Sequence, residues 1–267
     1  MEETTSHTTE AGPAGPPQSS PNGRSFFRSN GLILALVAVS IALDFFPFTG
    51  MILLPFEFFT TFIHESGHAI ASLIMGESVS RIVINPDTSG YMQHTVSGGR
   101  LAQGFIASAG YLGAALFAGI LIIMSGRRNL ARVILAVIGI GFAVAIVFYV
   151  RDFFTFAVSG GLCAVLLLLA FKGGTWLNYI VINFLAVQCA LNAVSDALTL
   201  VRLSMGATRS RYSLGHSDAD TVAQLFFLPA VVWSILWVII AVAILYYALK
   251  ISARFQASAK PPQPSAG

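Results

Sequence analysis

The apolar and polar positions of this chain sort into seven long apolar runs set between two polar tails. The runs lie at about 31–46, 51–75, 101–125, 130–150, 153–171, 176–203 and 221–250. A helix needs roughly 20 apolar residues to cross a bilayer core. The pattern therefore predicts an all-α polytopic membrane protein with about six to seven transmembrane helices. The first run is short and meets Asp44, Pro47 and Gly50 at its end, which suits a tilted or re-entrant segment. One stretch reads differently. Residues 79–96, VSRIVINPDTSGYMQHTV, alternate β-branched positions around Asn85-Pro86-Asp87 and Ser89-Gly90, which predicts a strand or small hairpin inserted after the second run. Residues 1–30 are rich in Ser, Thr, Pro and Gly and predict a disordered tail. Residues 31–251 form the transmembrane domain, and 252–267 a second polar tail.

Composition strengthens this reading. Hydrophobic residues make up 55% of the 267 and charged residues 10%, against about 25% charged in soluble domains. Mean hydropathy is +0.76. So few charges cannot cover the surface of a soluble globule, which argues against a soluble enzyme and against a nucleic-acid binder. The bilayer is the expected environment. Charge does not orient the chain: with the N-terminal tail cytoplasmic, eight basic residues fall inside and seven outside. Cys163 and Cys189 lie isolated in apolar runs and read as small packing residues. Gly110, Gly113, Gly119, Gly139 and Gly141 read as sites of close helix packing.

Chemistry enters at His64-Glu65-Ser66-Gly67-His68, an H-E-x-x-H motif within the second run. Histidines four apart on a helix differ by about 40° in azimuth and about 6 Å in height, so both imidazoles reach one Zn²⁺. Glu65 stands beside them as general base for a water at the metal. From composition, the pattern arises by chance roughly 0.002 times in a chain of this length. Three ionisable residues in one turn of a membrane helix are costly unless they bind something or face water. Glu57, Thr61, His64, His68 and Ser72 form one polar stripe on an otherwise apolar helix. Glu57 lies about 10 Å from His64 along the axis and reads as a pocket or packing residue.

A catalytic zinc takes three protein ligands and a water. Of the remaining acids, Asp196 sits well inside a long run, on a second stripe with Gln188, Asn192, Ser195 and Thr199. His68 lies eight residues before Gly76 and Asp196 seven before Leu203, at similar depths on parallel helices. The expected ligand set is His64, His68 and Asp196. His216, Asp218 and Asp220 precede the last run and read as capping residues near Thr221. His94 reads as a loop histidine, and Arg127-Arg128 as an interfacial anchor pair.

These residues resemble the site-2 protease family of intramembrane zinc metalloproteases, and in particular its small bacterial peptidase-like branch. The resemblance rests on HESGH in an apolar run, the strand-like insert at 76–99, the segment Ser108-Ala109-Gly110-Tyr111-Leu112-Gly113 and the stretch from Asn192 to Asp196. It covers about residues 55–233, with Asp218-Ala219 and Pro229-Ala230 in keeping. It implies a metalloprotease-like domain in a multi-pass protein of the bacterial cell membrane, cleaving membrane-protein or membrane-associated peptides. One Zn²⁺ sits on His64, His68 and Asp196, with Glu65 as catalytic base and Asn192 holding substrate. The proline and glycine usual around the third ligand are missing from Asn192-Ala193-Val194-Ser195-Asp196-Ala197. No loop exceeds about 25 residues, so a PDZ-like regulatory module has no room. A transporter or assembly factor, or an inactive zinc-binding relative, is the alternative.

Overall fold

The computed structural model describes residues 30–44, 49–205 and 217–258. The tail read at 1–30 lies outside them except for Asn30, as do His216 and residues 259–267. Among the described residues the elements are α1 (Gly31–Asp44), α2 (Gly50–Ile74), β1 (Val79–Ile84), β2 (Gly90–His94), α3 (Arg100–Ser125), α4 (Ala131–Tyr149), α5 (Phe153–Lys172), α6 (Thr175–Ser204), α7 (Asp218–Phe226) and α8 (Ala230–Ser258). A 3₁₀ turn at Arg128–Leu130 leads into α4.

Among the described residues, five helices are long and apolar enough to cross a membrane: α3, α4 with its 3₁₀ turn, α5, α6 and α8. The fold is an all-α polytopic membrane protein with one small sheet. The expected count of six to seven spans is reached by adding α2, or α2 together with α1. At 14 residues α1 is short for a bilayer. At 25 residues α2 has the length, but its polar stripe keeps it outside the strongly apolar set. The run read as continuous over 221–250 is broken. Phe227 adopts a left-handed conformation (φ 61°) and Pro229 follows, so α7 stops short and α8 starts afresh. At its far end α8 continues past Ser252 to Ser258, and Ser252 and Ala253 are buried.

Helix α3 is the central post, touching α2, α6, α7 and α8. Its contact faces are built from small residues. Ala114, Ala115 and Ala118 are buried, as are Ala193 of α6 and Ala241 and Ala248 of α8. Gly119 meets Ile244 of α8. Within lipid, helices associate through such close van der Waals contact rather than through exclusion of water. A second cluster stacks Phe142 of α4 against Phe59 and Phe62 of α2, at 5.4 and 4.3 Å between centroids. It fixes the helix that carries the HESGH sequence.

The insert forms an antiparallel hairpin with Ile84 opposite Gly90 and Ile82 opposite Met92. It folds back along α2. The Thr61 hydroxyl donates to the Thr88 carbonyl at its tip (2.7 Å), and the Ile84 N–H donates to Thr155 Oγ1 at the start of α5 (2.9 Å). Gly90 lies so near α2 that a Cβ would stand 2.7 Å from Thr61 Cγ2 and 3.0 Å from Glu65 Cγ. From the end of α2 back to Thr61 is about 20 Å at 1.5 Å per residue, and His94 to Thr88 spans about the same at strand rise. The hairpin therefore lies level with the HESGH turn.

Candidate metal centre

His64 and His68 occupy successive turns of α2, with Nε2 atoms 3.1 Å apart. The third group is Asp218, the first residue of α7. Its Oδ2 lies 3.6 Å from His64 Nε2 and 3.2 Å from His68 Nε2. Four ligands about 2.0–2.1 Å from a tetrahedral zinc stand about 3.3–3.4 Å from one another. The three observed separations straddle that value. His68 is oriented by its other nitrogen: Nδ1–H donates to the Ile106 carbonyl of α3 at 2.7 Å, leaving the Nε2 lone pair toward the cluster. The His64 ring meets Tyr111 edge-on at 4.5 Å, and Tyr111 stacks on Trp237 of α8 at 5.3 Å.

Space at the cluster depends on glycine. A Cβ on Gly110 of α3 would fall on the Nε2 atoms of both histidines, and one on Gly67 would strike the Ala109 carbonyl. Gly67 thus brings α2 and α3 together, and Gly110 keeps clear the volume that the three ligand atoms surround. Donor chemistry, spacing and free volume all fit a zinc ion.

Glu65 is buried (6% exposed) and lies within electrostatic range of His64, His68 and Asp218. The Met92 amide of β2 is directed toward its carboxylate. Thr155 takes up the outward N–H of Ile84, so the Ile84–Gly90 pair is not joined by ladder bonds, nor is Ile82–Met92 two residues along. The N–H and C=O groups of Gly90 and Met92 therefore line the free edge of β2, and that edge runs past Glu65.

The third acid beside the histidines differs from the one expected from sequence. The structure brings His64 and His68 together with Asp218, and Asp196 lies outside that group. Asp196 is at a suitable depth, close enough to His64 and Glu57 to feel their charges. Its carboxylate nevertheless stays outside the close group of ligand atoms. Ala193 and Ala197 point into the bundle (2% and 0% exposed), whereas Ser195 and Asp196 are exposed. Asn192, expected to hold substrate, is half-buried and donates its amide N–H to Thr60 Oγ1 of α2.

Of the residues read as caps, Asp220 does cap α7, with Ser217 as its partner, whereas Asp218 does not. Ser217 caps α7 by accepting from the Asp220 N–H, and Asp220 returns a bond to the Ser217 N–H. This reciprocal pair occupies Ser217 and Asp220 and leaves Asp218 free to face the histidines. The S-x-x-D spacing was the signal that separates the two aspartates.

The sequence profile of the family described as Peptidase M50B-like matches residues 31–248. The chain belongs to this family, within the site-2 protease group of membrane peptidases. No curated protein and no solved structure matches it.

Proposed function

We propose that this protein is a zinc-dependent intramembrane endopeptidase acting on membrane-protein or membrane-associated peptide substrates. The observation that carries the reading is the near-tetrahedral spacing of His64, His68 and Asp218 around a volume kept open by Gly110, with buried Glu65 beside it. Zinc bound there would lower the pKa of a water and polarise the scissile carbonyl. Glu65 takes the proton from the attacking water and returns it to the departing amide nitrogen. Tyr111 and the Ile106 carbonyl hold the two imidazoles in place.

A substrate segment in a bilayer hides its amides in helical hydrogen bonds and must be extended before it can be cut. The free edge of β2 supplies what an extended chain needs. Gly90 and Met92 offer backbone donors and acceptors beside Glu65, and an open strand edge at membrane depth has to face water or protein. A substrate pairing there as a further strand lays its backbone across the catalytic carboxylate. It takes the Met92 amide from Glu65 as it binds and frees that carboxylate for the water.

The test uses the full chain in lipid nanodiscs with a fluorescent single-span peptide carrying a central Asn-Pro helix break. Wild type cleaves it. Glu65→Gln retains zinc but loses about 10²–10⁴-fold in kcat, the usual contribution of a general base. Equal cleavage by wild type and Glu65→Gln rejects the mechanism.

A further inference from the structure

Glu77 is a buried acid at the base of the hairpin, and the reaction above makes no use of it. It follows α2, is 3% exposed among exposed neighbours, and gathers three segments around one carboxylate. Oε1 accepts from the Gly98 N–H at 3.0 Å and from the Gln103 side-chain amide in the first turns of α3. Oε2 accepts from His94 Nδ1–H at the end of β2. A Cβ on Gly98 would lie 3.0 Å from Oε1, so the loop passes directly over the group. One side chain thus joins the end of α2, which carries the histidines, to the end of β2 and to α3, which carries Gly110.

We infer that Glu77 is a positioning residue, a latch that holds the free edge of β2 in register with Glu65. The hairpin has two anchorages. Its tip is tied by the hydroxyls of Thr61 and Thr155, and its base by Glu77 together with the Thr95 N–H to Ser78 carbonyl bond. Opening the base leaves the strand hinged at its tip. Gly90, next to the tip, keeps its place against Glu65, while the outer part of the edge swings away. Substrate docking weakens and the reacting groups stay assembled. This assignment rests on the protease reading for its kinetic consequence, but not for its structural one.

Amide exchange measured by mass spectrometry on the full chain in nanodiscs tests the latch without reference to activity. Glu77→Ala speeds exchange roughly tenfold across 91–98, the loss expected for charge-assisted bonds to a buried group. It leaves the tip and the zinc content unchanged. With the Asn-Pro peptide, KM rises about tenfold and kcat stays within about threefold. Glu77→Gln keeps an oxygen for Gly98 and Gln103 and turns an N–H toward the His94 ring, so it restores both readouts. His94→Ala removes one of three partners and falls between, giving a second variant should Glu77→Ala fold poorly. Unaltered exchange at 91–98 in Glu77→Ala and His94→Ala overturns the latch. Faster exchange with KM unchanged overturns its positioning role. A wild type that cuts nothing counts against the protease reading, and exchange still judges the latch.

Discussion

Asp196 and Asp218 are both charged neighbours of His64, yet only Asp218 comes within ligand distance of the histidines. The difference lies in the segments that carry them. Asp196 is embedded in a 30-residue helix whose rotation is set by buried positions such as Ile182, Ala186, Ala193 and Ala197. A carboxylate one position off that face cannot turn inward without rotating the whole rod. Asp218 starts a nine-residue helix whose place is set by its Ser217–Asp220 cap and by Ala219 and Val222, which pack into the α3 and α8 cluster. A short capped helix can direct its first residue at a site because little else constrains it. A ligand carried by a rod is available only if the rod's packing face happens to include it.

The strongest test of this contrast removes each acid in turn. Asp218→Ala deletes a ligand and should cut zinc affinity by more than the 10–100-fold typical of losing an outer partner, with activity lost alongside. Asp196→Ala removes an exposed side chain with no ion pair among the described residues, so zinc content should hold and stability change by no more than about 0.5 kcal/mol. Metal analysis after dialysis, with a thermal melt, reads both. Zinc lost from Asp196→Ala and kept by Asp218→Ala would reverse the assignment.

The same contrast explains what could be read from sequence. The apolar runs predicted the helices because a bilayer imposes length and composition, and the β-branched alternation at 79–96 predicted the hairpin. His64, Glu65 and His68 were legible because a four-residue spacing on one helix is local geometry. The third group was not, since depth can be counted along a chain but azimuth depends on partners far away in sequence. Asp196 satisfied the depth argument and failed on rotation. The break that makes α7 a separate element lies at Phe227 and Pro229, inside a stretch whose apolar composition is continuous. Glu77 carried no signal, because its partners become neighbours only once the hairpin folds back.

Gly110 gives a smaller and sharper test of the space within the site. Gly110→Ala places a methyl on both imidazole Nε2 atoms, and α3 cannot withdraw because Gly67 already holds it against α2. Overpacking of this kind costs about 1–3 kcal/mol. It should appear as weaker zinc binding, with the helices intact by circular dichroism. Gly119→Ala is the control: its Cβ would meet Ile244 Cγ2 at 3.1 Å, far from the histidines. It should cost some stability and no zinc.

The smallest effect expected concerns acid, and it separates the two ends of the hairpin. Burial pushes the Glu77 carboxyl up, but the Gly98 N–H and His94 outweigh it and hold the group below its ordinary value. A carboxylate whose folded pKa is depressed contributes stability that is fully present above the unfolded value, about 4.3 for glutamate. That stability is lost as pH falls through the lower folded value. From about pH 5 down to about pH 3, amide exchange at Thr95 and Gly98, corrected for its intrinsic pH dependence, should therefore accelerate. Thr61 and Thr155 at the tip carry no titrating group. Asp87 lies in the turn there and is also held low, through its bonds to Ser89, so the turn loosens in the same direction but only locally. Glu77→Gln has no carboxylate to protonate and should flatten the response at the base while leaving that at the turn. An acid response at Gly98 equal in wild type and Glu77→Gln would mean that another group holds the base of the hairpin closed.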